Sequence, residues 1–154
     1  MPRRLSPEHQ LELESLYRVL RVFGDFLDPL LPPTGGTFSA ALRRAYEGRD
    51  LRGLRLARSD LLAMAQAGTA SQRRQLDGML RERAGVSLDD LSERQLKRIA
   101  QIRARGKLTS EEQYYLVRER FEFIADDPAR AEERGELQAM LHAYEERVAR
   151  RTGA

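Results

Sequence analysis

A chain of 154 residues with 27 basic and 24 acidic side chains, 41% hydrophobic residues and no cysteine has the composition of one globular domain with a core of its own. The missing cysteine excludes disulfides, thiolate zinc sites and thiol nucleophiles together and fits a reducing compartment. Nowhere do about eighteen apolar residues follow one another, and the basic start Met1-Pro2-Arg3-Arg4 runs into Glu8, Glu12 and Glu14, so neither a spanning helix nor a secretory leader is expected and the expected location is cytoplasmic.

All but Lys97 and Lys107 of the 27 basic residues are arginines, a bias for which GC-rich codons are a bland cause. Their distribution says more. Residues 1–39 hold 4 basic and 5 acidic residues, residues 40–107 hold 16 and 8, and residues 108–154 hold 7 and 11, so the middle is basic and the tail acidic.

In chain order, Ser6-Pro7-Glu8 opens a first helix with a cap, a first-turn proline and a first-turn acid, and Leu13, Leu16, Tyr17, Leu20, Phe23 and Leu27 give it a core stripe. Val19, Val22 and Phe26 widen that stripe to a second side. Residues 28–37 form an internal proline- and glycine-rich loop; its Pro29-Leu30-Leu31-Pro32 has polyproline-ligand spacing but reads as a connector that packs its leucines on the core. Thr37 starts a short helix with Phe38, Ala41, Leu42, Ala45 and Tyr46 on one face. Asp50 caps the next, which turns Leu51, Leu54, Leu61, Leu62 and Ala65 inward and is weakened by Gly53, and Thr69 with Gln72 makes a capping box for a helix that Gly85 closes.

The following helix has two candidate starts, Ser87 and Ser92, of which Ser92 brings a capping box with Gln95 and a staple between Leu91 and Leu96. Gly106 ends it, Thr109 is placed to cap the next with Glu112, and Ser92–Ala125 therefore reads as an αα-hairpin. Its second helix carries Tyr114, Val117, Phe121 and Ile124 on one side and Leu116 and Phe123 on nearly the other. Asp127-Pro128 restarts the chain into a last helix with the stripe Leu137, Met140, Leu141, Tyr144 and Val148. No run alternates with a period of two over strand length. The expected fold is all-α: a single domain over residues 5–151, as a compact bundle or orthogonal array of six to seven helices with a central αα-hairpin, burying Leu16, Leu20, Phe23, Tyr114, Val117, Phe121, Ile124, Leu137, Leu141 and Tyr144.

Chemistry is sparse in this sequence. His9 with Glu12 and His142 with Glu145 and Glu146 share helical faces, but bundle metal sites use Glu-x-x-His in the opposite order with further carboxylates, so no metal and no cofactor is expected and surface ion pairs are the reading of these residues. Gly35-Gly36 lacks the lysine and hydroxyl residue of a phosphate loop. With no convergent titratable set, no enzyme activity is expected.

Two functions remain. The first is a non-enzymatic interaction or regulatory module that binds a protein partner or a second copy, as a homodimer, through Leu116, Phe123, Val19, Val22 and Phe26. The alternative is nucleic-acid binding by an arginine-rich face in residues 40–107, with Arg49, Arg52, Arg55 and Arg58 on one ridge and Arg94, Arg98 and Arg105 on a second helix. A helix-turn-helix reader is disfavoured, because the helix after Gly106 begins with Glu111-Glu112 and would bring acid to the groove.

Overall fold

The computed structural model describes residues 4–153, all helix and loop with no strand among them. Eight α-helices replace the six or seven expected: α1 (Pro7–Leu27), α2 (Phe38–Glu47), α3 (Leu51–Gln66), α4 (Ala70–Ala84), α5 (Leu88–Leu91), α6 (Glu93–Arg105), α7 (Glu111–Phe123) and α8 (Ala131–Arg151). The extra helix is the one-turn α5. Both candidate starts are used: Ser87 and Asp90 cap each other's backbone N–H at 3.0 and 2.8 Å to make α5, and α6 then follows Ser92, whose side chain makes no capping bond. Contacts within the chain gather into two compact units, residues 1–91 and 92–154, where the sequence suggests one domain.

The first unit is built around α1, against which α2, α3 and α4 all pack. Leu13, Leu20 and Leu27 line one side of it and Val22 the other, and all four are buried along with Phe23. α2 comes so close that a Cβ on Gly24 would lie 2.7 Å from Ser39 Oγ, a hydroxyl that is itself buried without a hydrogen-bond partner. Asp28, the first residue after α1, reaches across the loop to accept the Phe38 and Ser39 N–H groups at 2.8 and 3.3 Å, while Thr37 accepts that of Ala40. The loop is thus held by its ends, and its leucines contribute little: Leu30 is exposed and Leu31 half-buried, so the connector does not pack both on the core.

Caps expected at Ser6, Asp50 and Thr69 form as hydrogen bonds of 3.0–3.1 Å. Gly53 belongs to its cap, since a Cβ there would meet the Asp50 carboxylate at 2.4 Å. Between α3 and α4, the buried Arg73 donates to the Gln66 and Gly68 carbonyls at 3.2 and 2.7 Å, satisfying the open end of α3 with a charged donor.

The second unit is α6, α7 and α8 around Ile99, Ile102, Leu108, Val117, Ile124, Leu137, Met140 and Leu141. Gly106, at φ 71°, closes α6 in the left-handed conformation. The cap of α7 falls one residue later than expected: Ser110 accepts the Gln113 N–H at 3.2 Å, and Gln113 Oε1 reaches back to the Thr109 N–H at 2.9 Å. The seam of α7 is Val117, Arg120 and Ile124, all buried, with Tyr114 and Phe121 half-buried on one flank and Leu116 and Phe123 half-buried on the other. The two stripes read as opposite sides are the shoulders of one broad face. Inside the seam, Arg120 and Glu133 of α8 form a nearly dry ion pair, Nε to Oε1 at 3.0 Å, and the guanidinium lies 5.8 Å from the Phe123 ring.

Leu16, Tyr17, Leu62, Tyr114, Phe121 and Tyr144 are half-buried and Val148 is exposed, whereas Leu20, Phe23, Val117, Ile124, Leu137 and Leu141 are buried as expected. Ile124→Ala should therefore cost about 2–4 kcal/mol in denaturant unfolding and Phe121→Ala clearly less. An equal or larger loss at Phe121 would make the flank, not the seam, the structural centre of this unit.

Candidate functional site

The residues that the sequence proposes for an interface sit differently in the two units. On α1, Val22 is buried at 1% exposure and lies inside the first unit; Val19 and Phe26 are half-buried. Val22 is covered within its own unit, where α2, α3 and α4 all pack on α1, and this corrects the assignment of Val22 to a surface; Val19 and Phe26 keep part of their surface open. On α7, Leu116 and Phe123 rest on the core of the second unit yet keep part of their surface open. Tyr115 beside them is 50% exposed, and Val148 of α8 is 39% exposed.

The arginines proposed for nucleic acid fall into two groups, one in each unit. Arg49 precedes α3 in a left-handed turn at φ 53°, and Arg52, Arg55 and Arg58 follow along the helix. Arg55 is engaged: its Nε and Nη2 donate to both carboxylate oxygens of Glu12 on α1 at 2.8 and 2.7 Å. That hydrogen-bonded pairing holds the Glu12 carboxyl below its ordinary range and the guanidinium above its own. Arg49, Arg52 and Arg58 form no ion pair among the described residues. On α6, Arg98 pairs with Glu112 of α7 at 3.1 Å, whereas Arg94 and Arg105 are exposed without such a partner.

Charge separation along the sequence becomes charge neutralisation in the second unit. The basic α6 is set beside the acidic α7 and α8, and Arg98–Glu112 and Arg103–Glu136, the latter at 2.7 Å, cross between them. Counted by unit, residues 1–91 carry 14 basic and 12 acidic side chains and residues 92–154 carry 13 and 12. The contrast between middle and tail is largely an order of packing.

A feature absent from the sequence reading is a cleft of about 630 Å³ in the first unit. Glu14, Tyr17, Arg18 and Arg21 recur on α1 at helical spacing and form one wall, with Val22 at its base; Tyr46 near the end of α2 and Arg83 near the end of α4 complete it. The Tyr17 and Tyr46 rings stack at 4.1 Å between centroids and 11° between planes, and the Arg21 guanidinium lies 5.6 Å from the Tyr17 ring. Arg83 Nη2 donates to Asp25 at 2.7 Å, and Glu14 Oε1 accepts from Gln10 at 3.2 Å. Arg18 has no hydrogen bond or ion pair among the described residues. Periodicity places Tyr17 on the core stripe of α1, and the approach of α2 and α4 puts it in a cleft with Arg18 and Arg21.

His9 and His142 are exposed, and His142 Nε2 lies 3.2 Å from Glu146. No group of three or more metal-ligating side chains occurs among the described residues, and none of their helices is long and apolar enough to cross a membrane. No protein-family model, curated protein or solved structure matches this chain.

The Glu12–Arg55 pair sets a pH dependence. Because the native-state carboxyl titrates below its ordinary range, the pair stabilises the fold above that range and the contribution disappears as pH falls through the lowered value. Glu12→Gln should therefore flatten the fall in melting temperature between about pH 5 and pH 3. An unchanged slope would show that the pairing contributes nothing to the native state in solution.

Proposed function

We propose that this chain is a non-enzymatic helical interaction module that acts in the cytoplasm and binds a protein partner or a second copy of itself through the Leu116–Phe123 shoulder of α7. The supporting observation is that α7 has its seam filled by Val117, Arg120 and Ile124 and still devotes two large apolar side chains, seven residues apart, to a flank that its own unit covers only in part. Internal pairing of α6 with α7 and α8 leaves apolar contact, more than charge, as the attraction available there.

Sedimentation over micromolar concentrations tests this reading. Leu116→Asp should leave the helical signal and melting temperature close to those of the parent while removing concentration-dependent association, because the side chain is only half-buried. A parent that stays monomeric throughout, with a Leu116→Asp variant that unfolds, would make the flank part of the monomer core.

A second reading rests on Arg49, Arg52 and Arg58, the ridge cations free of ion pairs among the described residues. If the ridge holds phosphates, the double reversal Arg52→Glu and Arg58→Glu should weaken binding to DNA or RNA at low salt and reduce the salt dependence by about two counterions. Failure of the parent to bind either polymer at low salt would end it.

A further inference from the structure

We infer that the cleft between α1, α2 and α4 is a binding site for a nucleoside phosphate, free or as the terminus of a single strand. Three features of one cavity ask for three parts of such a ligand. Arg18, Arg21 and Arg83 bring guanidiniums to it from two helices, and a phosphate oxygen set is the anion their forked N–H groups fit best. Tyr17 and Tyr46 stack on each other and Arg21 lies over Tyr17, which leaves the outer face of Tyr46, backed by Tyr17, for a flat heterocycle. Glu14 is a carboxylate in the same cavity, with only Oε1 taken by Gln10, and it accepts from a ribose hydroxyl or an exocyclic amine.

That carboxylate also separates this ligand from a bare polyanion, which has no hydroxyl or amine to donate to Glu14 and leaves the tyrosine ring unused. The volume of about 630 Å³ is of nucleotide size, and the cleft is open along one side. Each guanidinium has donors to give. Arg18 has no side-chain hydrogen bond or ion pair among the described residues, Asp25 takes only Nη2 of Arg83, and Arg21 lies 5.6 Å from the Tyr17 ring with none of its N–H groups in a hydrogen bond or ion pair among the described residues. The site belongs to the first unit and is independent of the α7 flank, so either can fail without the other.

Equilibrium dialysis of the full chain at low salt against AMP, ATP, tripolyphosphate and a 5′-phosphorylated hexanucleotide tests the inference, with tyrosine emission as a second readout because the chain has no tryptophan. ATP or AMP should bind saturably and quench tyrosine emission, more tightly than tripolyphosphate. Arg18→Ala, a change at an exposed side chain without partners, should weaken binding about tenfold, as the loss of one charge-assisted hydrogen bond implies. Tyr46→Leu should reduce the quenching, with circular dichroism checking that its helices persist. Binding by the hexanucleotide but not by free nucleotides assigns the site to a strand end; binding by the free nucleotides assigns it to the small molecule. The inference is overturned if neither form binds, if tripolyphosphate binds as tightly as ATP, or if Arg18→Ala and Arg83→Ala both bind like the parent.

Discussion

The first unit depends on covering α1 on several sides at once. A 21-residue helix with Leu13, Leu20 and Leu27 on one side and Val22 on the other cannot satisfy itself against a single neighbour, and three helices are packed around it. Space for the third comes from Gly24, where even one extra carbon would press on Ser39 Oγ. The same closeness leaves that hydroxyl buried and unpartnered, a local cost accepted where α1 and α2 cross. Once the three helices close on α1, the side they leave open is the one with Glu14, Arg18 and Arg21, and the ends of α2 and α4 turn that side into a cleft.

In the second unit the corresponding constraint is electrostatic. An arginine-rich α6 and acid-rich α7 and α8 neutralise each other on packing, mostly through half-exposed pairs whose individual worth is small. Arg120–Glu133 differs because both partners are nearly dry. The pair is held by geometry within the seam, and Glu133 is shared, its Oε2 lying 3.7 Å from Arg130 Nη1. It fixes α7 against α8 more specifically than the surrounding leucines can.

Helix class and most helix starts were legible because they depend on neighbours three and four residues away. Ser6, Asp50 and Thr69 form caps where the local pattern puts them, and the stripe of α1 buries Leu13, Leu20, Phe23 and Leu27. Errors arose where two local solutions competed. Thr109 and Ser110 are both good caps, and the decision went to Ser110 because Gln113 can then serve the Thr109 N–H as well. Ser87 and Ser92 could each open a helix, and a one-turn α5 lets both do so. Arg73 was invisible as a buried residue, since its burial depends on the carbonyls that α3 leaves open at its end.

The candidate sites were less legible than the fold for a physical reason. A stripe along one helix, such as Leu116 and Phe123, can be read from spacing, but whether that stripe is inside or outside depends on how many helices arrive. On α1 enough arrived to bury Val22; on α7 they stop at the Val117–Ile124 seam. The cleft is the harder case, because Tyr17, Tyr46 and Arg83 stand 29 and 37 residues apart in sequence and share no local pattern. Their meeting is a product of tertiary packing alone. A charged face on an amphipathic helix is ordinarily solvated, and a stacked tyrosine pair beside an arginine also occurs at Arg147, whose Nη2 is given to the Leu108 carbonyl; Arg18 and Arg21 differ in lining a cleft with no side-chain hydrogen bond or ion pair among the described residues. Spacing shows the arginine ridge of α3 but not that Arg55 is taken by Glu12, and on α1 it gives no sign that the cations line a cleft.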